Sequence, residues 1–371
     1  MALFGSRMRT DPHSPVDLRD AGMPFRVRPA VMMAVTLGGG AAAAPLPARA
    51  ADTPMYYLET FGAKGDMTVP LLWGLIAVSV LVVVIISAMV IIGILRRRDP
   101  DLQAGGRIIA VSRPPGGIGW INAGLVLTTL VLIGFTAWTV DLMARIAAPG
   151  REPAFTIEVT AQQFWWEARY VDPDDPARSF ETANELHIPL GEPVRIRLRS
   201  TDVIHSFWVP ALSGKTDAIP GQINETWIQG DRVGVYRGQC TEYCGQQHTN
   251  MAMRMFVDAP DDFTAWWDGQ AADAEPTSPG SLADAGRQAF RLRCGACHAV
   301  RGTRSGGEVG PDLTHLMSRT TIASAMLPNT EGHLSGWIAA PQALKPGSHM
   351  PDTGISGPEL HAIRTYLATL D

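Results

Sequence analysis

The sequence predicts a membrane protein of several domains: a two-helix transmembrane hairpin, a β-sandwich and a small all-α domain. Two long apolar runs lie within the first 150 residues, short alternating strands follow over about 154–260, and helical spacing resumes at Leu282. The length of 371 residues exceeds that of one ordinary domain. A formal net charge of -5 gives no basic surface, so we expect no nucleic-acid partner.

Residues 1–50 are predicted to be a secretory signal peptide. A basic start at Arg26 precedes a short apolar run and a small-residue end, with cleavage expected after Ala50. A third membrane span is the alternative, but Gly38-Gly39-Gly40 interrupts a run that is already too short to cross a bilayer. Export would place the later domains in a compartment where free cysteines tend to pair as disulfides.

Residues 51–150 contain the predicted hairpin, with spans at about 69–95 and 118–146. Each run exceeds the ~20 apolar residues that cross a bilayer as a helix. A buried hairpin of a soluble protein is the alternative, although a soluble core rarely contains two uninterrupted apolar runs of this length. The connection is rich in arginine: Arg96, Arg97, Arg98, Arg107 and Arg113. The positive-inside rule therefore places this connection in the cytoplasm and the C-terminal half on the periplasmic side. We expect a multi-pass protein of a bacterial inner membrane.

Residues 151–268 are predicted to form the β-sandwich. Apolar and polar residues alternate there in short runs, which is typical of half-buried antiparallel strands. Several such strands at close spacing favour two packed sheets. The clearest runs are 155–159, 194–198, 225–228 and 253–257.

A loop between the last two of these strands carries the donors of a candidate metal site. Cys240, Cys244, His248 and Met251 combine sulfur and imidazole ligands, a mixture that favours copper. His205 is the candidate for a further ligand, although a lone histidine in an apolar stretch is by default a satisfied core residue. A single-copper site needs only one cysteine, and a zinc site has no use for the methionine or the remote histidine.

Residues 269–281 are predicted to be a linker, because polar, small and proline residues dominate them. Residues 282–371 are predicted to form the helical domain. Cys294, Cys297 and His298 in it have the spacing that attaches a c-type haem covalently, with the histidine as proximal iron ligand. Every cysteine of the chain is then assigned to one of two redox centres.

Three segments, 202–210, 215–221 and 240–251, together resemble subunit II of cytochrome c oxidase. Essentially the whole mature chain resembles the caa3 type of that subunit, in which a cytochrome c is fused to the copper domain. The resemblance implies a cupredoxin-like Greek-key β-sandwich that carries the binuclear CuA centre, and an all-α class I cytochrome c domain. It implies this ligand set for the two coppers: His205, Cys240, Cys244, His248, weakly Met251, and Glu242 through its backbone carbonyl.

The resemblance implies two further ligand roles. Met350 is expected to be the second axial ligand of the haem, since the family places a methionine just before a proline there. Met317, Met326 and His349 are its rivals. The side chain of Glu242 is expected to bind magnesium at the boundary with subunit I, and a solvated surface glutamate is the alternative.

The function implied is that of an electron-transfer subunit. Electrons would pass from cytochrome c or a membrane-bound donor, through the haem and then CuA, to subunit I, where dioxygen is reduced to water. Subunit III is a further expected partner. We expect no catalytic residue in this chain, because its spans carry no histidine to hold a haem and copper.

Other classes of protein fit the sequence less well. A quinol-oxidase subunit would lack the copper ligands, nitrous oxide reductase would need a large histidine-rich propeller, and a copper-delivery protein would not require a cytochrome. Phe164 departs from the family, which usually has tryptophan at that position of the run 163–167. This departure weakens the case for a soluble cytochrome that docks directly on the copper domain, and the run also suits a plain sandwich core.

Overall fold

The computed structural model describes residues 55–96 and 117–371. The predicted signal peptide, residues 1–50, and the arginine-rich connection after Arg96 lie outside the described residues. The first two helices, α1 (Ala63–Leu95) and α2 (Gly117–Ile146), are long and apolar enough to cross a membrane. Their apolar side chains are exposed along most of both helices, as expected of surfaces that lipid covers.

Helix α1 begins at Ala63, earlier than the predicted span, because its first turn is polar and belongs to the contact with the sandwich. Lys64 Nζ donates a hydrogen bond of 2.7 Å to Thr226 Oγ1. At the end of α2, the carbonyl of Ile146 accepts a bond of 2.9 Å from the indole of Trp227. Both helices are therefore tied to the same strand region of the next domain.

Ten strands form the β-sandwich. One sheet has the order β3-β2-β1-β5-β8 and the other the order β4-β10-β9-β6-β7. The parallel pairs β1 with β5 and β4 with β10 interrupt the otherwise antiparallel pairing. The strands are β1 (Thr156–Gln162), β2 (Trp165–Val171), β3 (Phe180–Ala183), β4 (Glu185–Pro189), β5 (Val194–Ser200), β6 (His205–Trp208), β7 (Thr216–Ala218), β8 (Asn224–Ile228), β9 (Gly234–Cys240) and β10 (Ala252–Asp258).

The sandwich core forms between the sheets because inward positions alternate along each strand. In β5, Val194, Ile196 and Leu198 are buried while the arginines between them point outward. Helix α3 (Pro260–Ala271) follows β10 and packs its Phe263 and Trp267 into an aromatic cluster with the core. This helix extends to Ala271, into the segment predicted as a linker.

The C-terminal domain contains four helices and two short strand pairs: α4 (Leu282–Arg293), α5 (Glu331–Ala339), α6 (Pro341–Leu344), α7 (Gly357–Leu367), β11 (His298–Val300) with β12 (Ser305–Glu308), and β13 (Thr321–Ile322) with β14 (Leu327–Pro328). Ser281 caps α4 and Ser356 caps α7, each accepting a bond from a backbone amide of the first turn. The two helices meet at Gly286, where an added Cβ would lie 2.0 Å from the Ala362 oxygen. The domain boundaries at 150/151 and 268/269 stay predictions.

Candidate copper and haem sites

The cysteine-rich loop leaves the sandwich at the end of β9 and returns at the start of β10. The amide of Cys240 donates a 3.0 Å bond to the carbonyl of Met251, which closes the loop at its base. A short 3-10 turn, His248–Asn250, sets the imidazole within the loop. The neighbouring strand β6 in the same sheet begins at His205, so sheet pairing brings the remote histidine to the loop.

The sulfur and nitrogen donors converge on one point. The Sγ atoms of Cys240 and Cys244 are 3.8 Å apart. His205 Nδ1 lies 3.9 Å from the first sulfur, and His248 Nδ1 lies 3.5 Å from the second. Met251 Sδ is 3.8 Å from the second sulfur. The structure thus brings together all the side chains that the sequence predicts as copper ligands.

Glu242 contributes to this cluster through its backbone. Its carbonyl oxygen lies 3.3 Å from Cys240 Sγ, whereas its side chain is exposed. This backbone oxygen lies beside the Cys240 sulfur, and its expected role as a copper ligand stays a prediction. The expected magnesium role of the carboxylate stays a prediction.

Asp202 fixes the orientation of the His205 ring. Its Nε2 lies 2.7 Å from Asp202 Oδ1, so Nδ1 faces the sulfur of Cys240. Burial of the ring depresses the pKa of His205, but the hydrogen bonds with Cys240 and Asp202 outweigh that effect and the pKa is raised. A carboxylate behind a ligating imidazole is a common way of fixing its tautomer and raising its basicity.

The two thiols differ in proton affinity. A hydrogen bond from the Cys244 thiol holds the pKa of Cys240 below its ordinary value, and the same interaction raises the pKa of Cys244. A bound cation would favour both thiolates, because metal ligation replaces the proton. Two thiolates, two imidazoles and a thioether suit copper by the softness of the donors.

A second site opens in the C-terminal domain as a cavity of about 210 Å³. Cys294, Cys297, His298 and Met350 all line it. Most of the other lining residues are apolar, as is usual for a cofactor site. His349 also lines the cavity. The rivals Met317 and Met326, both among the described residues, do not line it.

His298 is aimed into this cavity by its backbone surroundings. Its Nδ1 lies 2.8 Å from the carbonyl of Pro311, which leaves Nε2 for an iron ion. Gly310 is packed so closely that an added Cβ would lie 2.6 Å from the imidazole. Burial lowers the pKa of His298 and so favours the neutral ring that binds metal.

Sequence reasoning gave no role to several residues that complete these sites. Asp202 lies three residues before His205, and that spacing is the only signal that could have identified it. Lys345 and Glu185, both buried, make polar contacts between the two extramembrane domains. Such contacts depend on domain placement, which no local pattern in the sequence encodes.

Two family models match the chain. The model described as cytochrome c oxidase subunit II, periplasmic domain, matches residues 169–258, and the cytochrome c model matches residues 283–371. The chain belongs to the subunit II family of cytochrome c oxidase and carries a fused cytochrome c domain. The expected family and its cupredoxin-like and cytochrome c folds are thereby confirmed.

Relatives in the subunit II family support this assignment. A cytochrome c oxidase subunit 2 of Alkalihalophilus pseudofirmus is 40% identical over 217 residues, which cover 58% of this chain and 60% of that protein. The Bacillus subtilis protein of the same name is 28% identical over 269 residues, which cover 68% and 74%. The match to the first of these thus spans less than two thirds of the relative's length.

Among solved structures, the periplasmic domain of subunit II of cytochrome oxidase of Bradyrhizobium japonicum is similar to this subunit II. The identity is 32%, and the match covers 32% of this chain and 95% of that one, with a TM-score of 0.30.

Proposed function

We propose that this chain is the electron-transfer subunit II of a haem-copper oxidase, conducting electrons from an external donor through a c-type haem and a CuA centre to subunit I, which reduces dioxygen to water. The observation that supports this most is the place of Phe164. Phe164 lines the haem cavity. Its ring also lies against the copper loop, where a Cβ added to Gly245 would be 3.2 Å from the ring. One residue therefore contacts both candidate redox sites.

The copper pair would be held by Cys240, Cys244, His205, His248, Met251 and the carbonyl of Glu242. When bound, such a pair would accept and release one electron. The chain buries His205, Cys240, Cys244 and Met251, leaves His248 half-buried, and fixes the His205 ring through Asp202. Because these ligands are held rigidly and mostly away from water, their positions change little when an electron arrives. Small structural changes favour rapid electron transfer.

The haem would be bonded covalently to Cys294 and Cys297, and His298 and Met350 would be the protein ligands of its iron. Histidine and methionine together raise the potential of a haem, which suits a donor to copper. The hydrogen-bonded His298 ring and the surrounding apolar wall orient the group and exclude water. No residue of this chain is proposed to act on dioxygen.

The remaining proposals concern partners and location. Tyr243, beside Glu242 at the tip of the copper loop, is 75% exposed, so the loop presents a surface to a neighbour. We infer that this face meets subunit I, with magnesium at the Glu242 carboxylate, and that subunit III completes the complex. The hairpin lies in the inner membrane, the two redox domains lie on the periplasmic side, and cytochrome c or a membrane-bound carrier is the donor.

Metal and haem stoichiometry of the purified oxidase tests the function. We expect two copper ions from this chain's centre and one covalent haem for each copy of the chain. One copper ion at this centre, or no covalent haem, would remove the relay. The matched controls are Cys240→Ser, which should lose the copper and keep the haem, and Cys297→Ser, which should retain the copper with only one thioether bond to the haem.

A further inference from the structure

Lys345 joins the two redox domains although it is almost completely buried, with 2% of its surface exposed. It belongs to the cytochrome domain, yet its Nζ donates a 2.9 Å hydrogen bond to the backbone carbonyl of Phe164 in the copper domain. The same Nζ contacts the Ala323 carbonyl at 3.1 Å and Ser324 Oγ at 3.1 Å. The Ser324 hydroxyl also donates to the Phe164 carbonyl, at 2.6 Å. That carbonyl therefore receives two hydrogen bonds from the other domain.

The backbone around Lys345 is arranged to receive it. Ala323, Ser324 and Ala325 have φ values of 55°, 63° and 57°, a left-handed conformation that residues with a Cβ rarely adopt. This turn connects β13 to β14 and directs the Ala323 carbonyl toward the amine. Three consecutive residues in an unfavourable conformation indicate that the surrounding contacts determine the shape of the turn.

Packing alone does not account for a lysine at this position. No ion pair joins Lys345 to a carboxylate in the part of the chain that the structure describes, and burial lowers the pKa of Lys345 to about 7. An apolar side chain of the same length would fill the space without a desolvation penalty. What such a side chain would lack is the ability to donate hydrogen bonds across the domain boundary.

The contact lies on the short route between the two redox sites. Lys345, Ser324 and Phe164 all line the haem cavity. On the copper side, Gln163 Nε2 donates to the carbonyl of Cys244, and the Phe164 ring lies against the same loop. A shift of the cytochrome domain at this point would therefore change the separation of haem and copper directly.

We propose that Lys345 is a positioning residue, which together with Ser324 docks the cytochrome domain on the copper domain through the Phe164 carbonyl. The docked arrangement holds the haem cavity beside the copper loop, so that electrons cross within one chain and no domain movement is needed. This proposal rests on the proposed function for its kinetic consequence. The docking itself does not depend on it.

The kinetic test uses Lys345→Met in the purified oxidase, because methionine is unbranched, only one atom shorter than lysine, and removes its donors. After rapid reduction of the haem, the rate of haem-to-copper electron transfer should fall by about tenfold. A loss of ~1.4 kcal/mol in docking free energy produces that change when the undocked form becomes prevalent. Haem content and copper content should stay unchanged, and both midpoint potentials are measured so that a change in driving force is separated from a change in docking. The control is Lys215→Met, since Lys215 is 52% exposed on the copper domain. A parental rate in Lys345→Met would overturn the proposal.

A second readout follows docking without electron transfer. The chain has three lysines, so amine acetylation can be followed for each by mass spectrometry. In the parent, Lys345 should react far more slowly than Lys215, and Ser324→Ala should accelerate the labelling of Lys345 while slowing electron transfer. Ser324→Ala also tests the docking proposal if Lys345→Met fails to fold. Equal labelling of Lys345 and Lys215 in the parent would refute docking, whereas a parent with protected Lys345 and no haem-to-copper transfer would instead refute the proposed function.

Discussion

Asp202 illustrates how single residues support the copper site without being ligands. Its carboxylate lies 2.7 Å from His205 Nε2 and also accepts a 2.6 Å bond from the amide of Gln163. Burial opposes ionisation of this carboxyl, but these hydrogen bonds prevail and its pKa is lowered. The residue therefore holds both a metal ligand and the segment that reaches toward the haem domain.

We expect Asp202→Asn to lower copper affinity by about 10–100-fold, because groups that orient metal ligands typically contribute that much. The amide keeps the shape but offers a weaker, uncharged acceptor to His205. Copper retained after dialysis against graded chelator measures the effect. Asp174→Asn, in an exposed surface turn, is the control and should retain copper like the parent. Equal retention in the two variants would show that Asp202 does not support the ligand.

Cys244 is the residue on which the proposed series order depends most directly. Replacement with serine substitutes a hard oxygen for a soft thiolate that lies within 4 Å of Cys240, His248 and Met251. We expect Cys244→Ser to abolish the copper signal and oxygen consumption, while an external donor still reduces the haem. Optical spectra and oxygen uptake on the same sample check both parts. Turnover at the normal rate would mean that electrons do not pass from haem to copper in that order.

At the scale of elements, the sequence predicts those helices and strands whose apolar residues form a recognisable pattern. The strand runs and the helix before Cys294 were predictable because burial alternates with a period set by each local structure. The two spans were predictable because each apolar run is long enough to cross a bilayer. The polar first turn of α1, the extension of α3 to Ala271 and the strand pair around Ser324 carry no such period. These elements form through contacts with other domains, so the local sequence pattern could not predict them. Ligand residues were predictable for a different reason, because donor chemistry and spacing are local.

Two helical glycines of the cytochrome domain give opposite expectations. Gly286 in α4 lies against the backbone of α7, and an added Cβ would be 2.0 Å from the Ala362 oxygen. Gly332 in α5 has open space around the corresponding position. Gly286→Ala should destabilise the domain by about 1–3 kcal/mol or more, because the backbone cannot yield as a side chain would. Gly332→Ala should be neutral or stabilising by up to about 1 kcal/mol.

Thermal or denaturant unfolding followed by the haem absorbance measures both variants. The pair is matched, since each adds one methyl group to a helix of the same domain and only one of them meets a clash. Similar stabilities for the two variants would indicate that α4 and α7 do not pack as closely as the structure has them.

At the scale of the whole molecule, a second polar contact supports the docked arrangement. Glu185, which opens β4 of the copper domain, is 3% exposed. Its carboxylate accepts bonds from the Thr320 amide at 2.9 Å and the Thr320 hydroxyl at 2.8 Å, and also from the Thr321 hydroxyl. Arg254 of the copper domain donates to the same Thr320 hydroxyl. Buried polar groups of each domain, Lys345 of one and Glu185 of the other, thus bind a turn or strand of the opposite domain.

We expect Glu185→Gln to loosen the docking without unfolding either domain. The amide keeps the volume, but its NH2 group would face donors, and hydrogen bonds to a charged acceptor contribute about 1.5–3 kcal/mol each. Local opening should therefore become more frequent by at least about tenfold. The amine labelling rate of Lys345 reports that opening, and Glu192→Gln, which removes only an exposed pair with Arg151, is the control. Because Glu185 does not touch Lys345, faster labelling in Glu185→Gln alone would mean that the two contacts open as one unit. Labelling unchanged from the control would show that docking at Lys345 does not depend on the Glu185 contact.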